Sequence, residues 1–535
     1  MEDALTQAVA TPAQDVATAP AQRLNPFLFP TDTNMRFALL IVAVLSAGLL
    51  VFQSLSNAAS RAMFHAFALN CGFTKACWQP YEIRQAAWMA LGTLGVMAAG
   101  VLLYWLVPAW KIRRDRLAPI TREDDAALFD YLQQLAREAG LTRTPIFVWN
   151  PLDPRVGGQA FGRLGRYFVA LTGGLATRFY NDRLAMRAVL LHELAHLRNK
   201  DVDRTYLALT ITAAFFALAF APFVLSLLAE ADTAFALSTL WRGMALALLV
   251  YLTCNAILRA REYYADLRAA TWDGTDANVA RVISGMPRST RSVWRLQLTH
   301  HDPHQRLAVL QSPDRLFHAG FWEAAAAGLA IGAAFANVAA WLALALPAAQ
   351  ELLAYPLTAL VFGSLLAIML GVNVWRAAFG QAQLGGAWHV FVIFALGAGL
   401  GLFAGRLLLF RSTASDITAN VQAGIATLLI LVMLAFVGWL SVCAAIWLRA
   451  VHSEHGLHVT MAGVLIVAAI LLVALLGAAF FVADNFAPWM DVPAQVFEGF
   501  NKVMRRLNLW LPLVGLALVC VAAAFVFRER PDRLP

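Results

Sequence analysis

Two histidines one helical turn apart, His192 and His196, bracket a glutamate in the run LLHELAHLRNKD, residues 190–201. Positions i and i+4 of a helix share a face, so both imidazoles can grip one metal ion. Glu193 lies beside the first of them and is not needed as a ligand. It can take a proton from metal-bound water, whose pKa zinc lowers to about 7, and pass it to the leaving amine of a peptide bond. A catalytic zinc wants three protein ligands and an open position. Glu262, in RAREYYADLRAA (259–270), supplies the third. Asp266, four residues on, faces the same way and can fix the tautomer of a ligand histidine. Taken singly, each motif has a plainer reading: incidental histidines on a surface helix, and a solvated acidic face paired with Arg259, Arg261 or Arg268. Together they predict a two-histidine, one-glutamate site with Glu193 as its base, holding one Zn2+ per chain.

The elements that must carry these residues can be read from periodicity. Residues 123–139 place Leu128, Tyr131, Leu132 and Leu135 at helical spacing behind an acidic start, which predicts an amphipathic helix. PIFVW (145–149) and RYFVALT (166–172) read as short strands divided by a glycine-rich turn, and helix resumes near 182 to run through the histidine motif. The strand at 166–172 is either an ordinary core strand or one that offers its edge to an extended peptide, with Tyr167, Phe168 and Val169 as candidate substrate contacts.

Sixty percent of the 535 residues are hydrophobic and 14% are charged. Such a chain has too little polar surface to cover itself. A bilayer core of roughly 30 Å needs about 20 helical residues. Apolar runs of that order lie near 36–56, 86–109, 205–229, 234–258, 319–347, 353–375, 388–411, 421–449, 459–483 and 508–527. The first is long and starts late, unlike a cleaved signal peptide. The net charge of +8 is spread over span ends: Lys111, Arg113, Arg114 and Arg116; Arg259, Arg261 and Arg268; Arg528, Arg530 and Arg533. This pattern orients spans with both termini and the polar stretches 110–204 and 259–317 in the cytoplasm, and it argues against a nucleic-acid partner.

The expected fold is therefore a polytopic α-helical membrane protein of about ten spans with a cytoplasmic α+β zinc peptidase domain. Its divisions are a flexible cytoplasmic tail (1–35), two spans with an outside loop (36–109), the peptidase domain with two further spans (110–317) and a membrane unit of about six spans (318–535). Cys71 and Cys77 fall in the outside loop, where spacing alone proves no disulfide. Cys254, Cys443 and Cys520 read as buried apolar residues. Gly397, Gly401 and Gly405, four apart, predict close helix packing. Residues 485–507 read as an interfacial segment.

HELAHLRNKD, followed by two spans and then REYYAD, resembles the HtpX-type membrane metallopeptidases, relatives of the CAAX prenyl endopeptidases. The resemblance covers about residues 36–310. It implies zinc, a gluzincin-like catalytic domain, a cytoplasmic active site and a bacterial inner membrane. Carried over by position, it makes His192, His196 and Glu262 the ligands, Glu193 the base, and Asp201 and Asp266 supports. The family's His-Pro-x-x-x-x-Arg element reads THHDPHQRL here, with His300 and Arg306 in register and His301 in place of the proline. Arg306 either holds the catalytic helix or orients substrate. The family's Asn-Ala-Phe element reads GGQAFG (157–162), with Gln159 in place of the asparagine and Phe161 as a further substrate contact. The six spans after residue 318 have no counterpart in the resemblance.

The leading expectation is an endopeptidase acting on membrane or unfolded proteins at the cytoplasmic face, in contact with membrane lipid. The competing readings are a narrow-substrate processing peptidase and a membrane scaffold or transporter with a vestigial protease domain. The intact ligand set argues against decay, and the scarcity of charged pairs in the last six spans argues against ion-coupled transport. The clusters His300, His301, His304 and His452, His455, His458 read as loop residues rather than a second metal site. Substrate identity and oligomeric state are not encoded in any motif.

Overall fold

The computed structural model describes residues 25–71, 75–230, 232–286, 302–346, 353–384, 388–408, 418–486, 490 and 492–527. Helices α1 (Asp32–Cys71) and α2 (Lys75–Arg114) are each 40 residues long, so helix continues well past the apolar runs at 36–56 and 86–109. Cys71 and Cys77 therefore belong to helix ends; their side chains lie outside the described residues. The segment expected to be a flexible tail is packed from residue 25 onward. Phe29 is 3% exposed, and α1 starts at Asp32. The aromatic pair Phe27 and Phe29 gives this stretch an apolar anchor that its composition as a whole conceals. Residues 1–24 lie outside the described residues.

The polar region begins with a short strand β1 (Ala118–Pro119) and helix α3 (Ala126–Glu138). Asp125 caps α3 by accepting from Leu128 N at 2.9 Å, and the predicted face of Leu128, Tyr131, Leu132 and Leu135 is buried. Strands β2 (Ile146–Asn150), β3 (Gly158–Arg163) and β4 (Arg166–Thr172) complete a sheet of order β1-β2-β4-β3. β2 and β4 are parallel; the outer pairs are antiparallel. β3 corrects the sequence reading, which took GGQAFG as part of a turn. Glycine, glutamine and alanine carry little strand preference, and pairing along β4 overrides it. Of the two readings left open for the strand at 166–172, the structure shows the core strand: β4 is paired on both sides, and the open edge belongs to β3.

Beyond the sheet come α4 (Gly173–Asn181) and α5 (Arg183–Asn199), which carries the histidine motif. The third span joins α6 (Val202–Phe215), a π turn at Phe216–Phe220 and α7 (Ala221–Leu228). Pro222 lacks the N–H that would continue an α ladder across this point. α8 (Thr233–Asp273) then runs unbroken for 41 residues from the fourth apolar run into the polar region. Helices α9 (Ala277–Ser284) and α10 (Pro303–Gln311) close the polar region beside α5 and α8.

The remaining chain is helical: α11 (Phe321–Ala345), α12 (Ala354–Leu384), α13 (His389–Leu407), α14 (Ala419–Ala450), α15 (Glu454–Asn485), α16 (Pro493–Arg506) and α17 (Trp510–Val526). Among the described residues nine helical segments are long and apolar enough to cross a membrane. The tenth expected span is 17 residues of α17 and reaches that length only with α16, from which it bends by 82°. The segment read as interfacial is thus largely α16, laid across α14 and α15; Trp489 lies outside the described residues.

The glycine spacing in α13 is a packing device, as its period predicts. A Cβ on Gly401 would fall 2.2 Å from the Ala325 carbonyl oxygen of α11, and one on Gly405 2.3 Å from that of Leu329. Backbones this close exclude any side chain between them. Gly401→Val should lower the melting temperature of the detergent-solubilised chain, by an amount equivalent to about 3 kcal/mol. Gly438, with nothing within 4 Å of its Cβ position, is the control. An unchanged melting temperature for Gly401→Val, equal to that of Gly438→Ala, would contradict the close packing of α11 on α13.

Candidate metal centre

Asp182 starts α5 by accepting from Ala185 N at 3.1 Å. Met186, Leu190, Leu194 and Leu197 bury its apolar side against α3 and the sheet. The helix stops at Lys200, whose left-handed backbone (φ 56°) folds the chain back on the last turn. That reversal sets Asp201 beneath His196, with Nδ1 3.1 Å from Asp201 Oδ1 and 3.2 Å from Oδ2. A carboxylate only accepts, so Nδ1 carries the proton and Nε2 keeps its lone pair. His192 repeats the pattern, with Nδ1 at ion-pair distance, 2.8 Å, from Asp266 Oδ1.

Both Nε2 atoms face the Glu262 carboxylate across the α5–α8 contact. His192 Nε2 lies 3.4 Å from Oε2 and His196 Nε2 lies 3.6 Å from Oε1. One donor atom from each of the three residues falls within 4.8 Å of the others, the only such group among the described residues. Glu262 and Asp266 are 8% and 1% exposed, which rules out the solvated-face reading. Arg261 does contact Glu262, with Nε donating to Oε1 at 3.0 Å, but inside the protein rather than in water. Arg306 of α10 donates to both oxygens of Asp266, at 2.7 and 2.6 Å, and its Nη1 lies 3.2 Å from Glu262 Oε2. Arg306 thus ties α10 to α8.

Glu193, also buried, turns toward the sheet, where its Oε2 accepts from Ala160 N on the open side of β3 at 2.6 Å. A Cβ on Gly158 would meet Glu193 Cγ at 2.9 Å, so the glycine makes room for this approach. Next to it Gln159 pairs with Lys111 and donates to Tyr206 OH at 3.0 Å. Of the expected substrate contacts, Phe161, Phe168 and Val169 are buried in the sheet's packing, Phe161 stacked on Phe168. The Tyr167 hydroxyl donates to Asp203 at 2.6 Å. His300 and His301 lie outside the described residues. His304 stands in the first turn of α10, where its N–H donates to Asp302.

Burial alone would lower the His192 pKa; the Asp266 and Glu262 carboxylates reverse that and carry it up to about 10. The same field favours any cation placed between the rings. Four carboxylates (Glu193, Asp201, Glu262, Asp266) stand with two guanidiniums (Arg261, Arg306), which leaves two negative charges when both histidines are neutral. A divalent ion fits that balance. The separations of 3.4 and 3.6 Å also sit near the about 3.3 Å edge of a tetrahedron built on zinc–nitrogen and zinc–oxygen bonds.

Sequence reasoning missed the depth of Arg261, the Ala160 N–H and the Lys111–Gln159–Tyr206 chain. Arg261 precedes Glu262 directly, and no helical spacing rule pairs neighbours in sequence. The other two depend on β3 being a strand.

Residues 123–314 match the model of peptidase family M48. Curated relatives are each described as "Protease HtpX homolog". One from Methanopyrus kandleri is 32% identical over 184 residues, 32% of this chain and 56% of the relative. One from Persephonella marina is 30% identical over 187 residues, 34% of this chain and 64% of the relative. One from Salinibacter ruber is 29% identical over 224 residues, 40% of this chain and 78% of the relative. No solved structure gives a significant match. The region between α3 and α10 is thus a peptidase domain of family M48. Over this region the chain is similar to the HtpX-type proteases of that family, and its apolar helices support an integral membrane protein. It spans less than two thirds of the first two relatives' length, and the matches account for under half of its own.

Arg306→Met should strand Asp266 and Glu262 as buried charges short of a partner. The expected loss is about 3–5 kcal/mol, or a melting temperature lower by on the order of 10 °C. A thermal scan in detergent reads it, and an unchanged midpoint would show that the pairing contributes nothing.

Proposed function

We infer that the chain is a membrane-embedded zinc endopeptidase that hydrolyses peptide bonds of membrane or unfolded proteins at the cytoplasmic face. The observation that carries this reading is the convergence of His192 Nε2, His196 Nε2 and the Glu262 carboxylate beside Glu193, itself held by the backbone of an open strand edge. These residues would hold the ion, with Asp201 and Asp266 fixing the imidazole tautomers and Arg306 fixing Asp266. The M48 match and the protease names of the relatives support the reaction class.

Bound there, zinc would supply a Lewis acid that polarises a carbonyl and acidifies water to a pKa of about 7. The protein's part follows from its own groups. β3 presents backbone donors and acceptors on its open side, so an extended peptide can add to the sheet there with little demand on side-chain identity. Glu193 stands between that edge and the ligand set, where it can accept a proton from the attacking water and return it to the leaving amine. Ala160 N–H keeps the carboxylate aimed, because its hydrogen bond fixes one of the two oxygens. A substrate carbonyl drawn to the same N–H would release Glu193 for the proton transfer.

The test is zinc content and cleavage of an unfolded protein by the detergent-purified chain beside Glu193→Gln. The expected result is about one zinc per chain in both forms, with kcat lower by about 10²–10⁴-fold in the variant. Metal in neither form would sink the metallopeptidase reading in favour of a scaffold. Zinc without cleavage in the wild type would point to a narrow-substrate processing enzyme. Asp201→Asn should weaken zinc about 10–100-fold in a chelator competition, because the amide cannot hold His196 as the carboxylate does; wild-type affinity would remove Asp201 from the site.

A further inference from the structure

The face of α8 turned away from the ligand set is gripped by elements outside the M48 match. Glu262 and Asp266 share one side of the helix; Tyr264 and Arg268, also four apart, share the other. The Tyr264 hydroxyl accepts from Arg376 Nη2 at 2.6 Å, and the same nitrogen donates to Leu316 O at 2.7 Å. Arg376 lies in α12, more than sixty residues beyond the end of the family match, and is 2% exposed. It also pairs with Asp32 in the first turn of α1. Asp32 is 3.5 Å from Arg36, which reaches Glu323 of α11 and donates to Ala256 O of α8 at 3.0 Å. Arg268 sits 3.8 Å from the centre of the Phe27 ring and donates to Asn199 of α5 at 2.6 Å. Phe29 packs between Phe317 and Phe379.

A charge buried this deeply is costly to keep unless its contacts repay it. A packing staple would have done as well with an apolar residue of the same volume. What an arginine adds is direction: its Nη2 holds the Tyr264 hydroxyl from α12 and is itself fixed by Leu316 O. Side-chain ends stand about 5–6 Å from a helix axis, so turning α8 by only about 10° shifts the Glu262 carboxylate by about 1 Å. Displacements of that size can cost about 10²-fold in rate.

We propose that Arg376 is a positioning residue of the zinc site, acting through Tyr264 to set the rotation of α8 and the place of Glu262. The membrane unit after residue 318 thereby becomes a working part of the peptidase rather than an appendage. The inference rests on the zinc-peptidase reading above.

The experiment uses the full chain in detergent: wild type, Arg376→Met, Tyr264→Phe and the double variant. Zinc affinity is read by chelator competition, and kcat and KM are read per zinc-loaded molecule. Arg376→Met should lower kcat about 10–100-fold and weaken zinc about tenfold, with KM within about twofold of wild type. Tyr264→Phe should move both readouts in the same direction, and the double variant should be no worse than Arg376→Met, because the two act in one chain of contacts. A merely structural role would lower the melting temperature and leave kcat of the loaded, folded molecules unchanged; that result overturns the proposal, as do effects that multiply in the double variant. Should Arg376→Met fail to fold, Tyr264→Phe decides alone, and wild-type kcat and zinc affinity in it overturn the proposal. A wild type that neither binds zinc nor cleaves sinks the peptidase reading and this inference together. An active, zinc-loaded wild type whose variants match it sinks this inference alone.

Discussion

Everything in the polar region is arranged around one buried carboxylate. Glu262 touches both imidazoles of the α5 motif and both buried guanidiniums, Arg261 and Arg306. A negative charge cannot stay at such a place without several partners, and two of the elements are fixed through them: α5 by the histidines and α10 by Arg306, with Asp201 beneath His196 tying in the turn after α5. The packing of α5 on α8 is therefore specified by charge as much as by the leucines and alanines that fill the rest of the contact. Apolar faces slide at modest cost; this set of ion pairs does not.

How far the site was legible follows from which signals are local. The histidine motif, the capping aspartates before α3 and α5, and the i, i+4 pair Glu262 and Asp266 are all set within a turn or two of helix, and the sequence displays them directly. The strand β3 is different. Apart from Phe161 its residues have little preference for extended backbone, and it is held by β4 beside it and by Glu193 on its outer side. With β3 unseen, the choice between edge and core strand for β4 stayed open, and the chain from Lys111 through Gln159 to Tyr206 was invisible. Arg261 was visible but was weighed as a surface partner, because nothing in a helical pattern says how deep a residue lies.

The membrane part divides along the same line. Span positions follow from apolar length and were readable, and the glycines of α13 announced their close contact with α11 by period alone. The last of the ten expected spans, 508–527, was read as an ordinary crossing, whereas the 82° bend between α16 and α17 leaves a 17-residue helix that needs its neighbour. Residues 25–35 were dismissed on composition, although two phenylalanines and an aspartate there join α1, α8 and α12. Long-range pairs of this kind leave no periodic trace.

The unbroken run of α8 has a geometric corollary. Read with its apolar stretch at 234–258, the helix reaches Glu262 after four more residues, about 6 Å of rise. A rigid rod with a ligand at a set height is a ruler. Its zero mark is the end of the apolar stretch, so a change in the tilt of this one helix moves Glu262 itself rather than loosening the group around it.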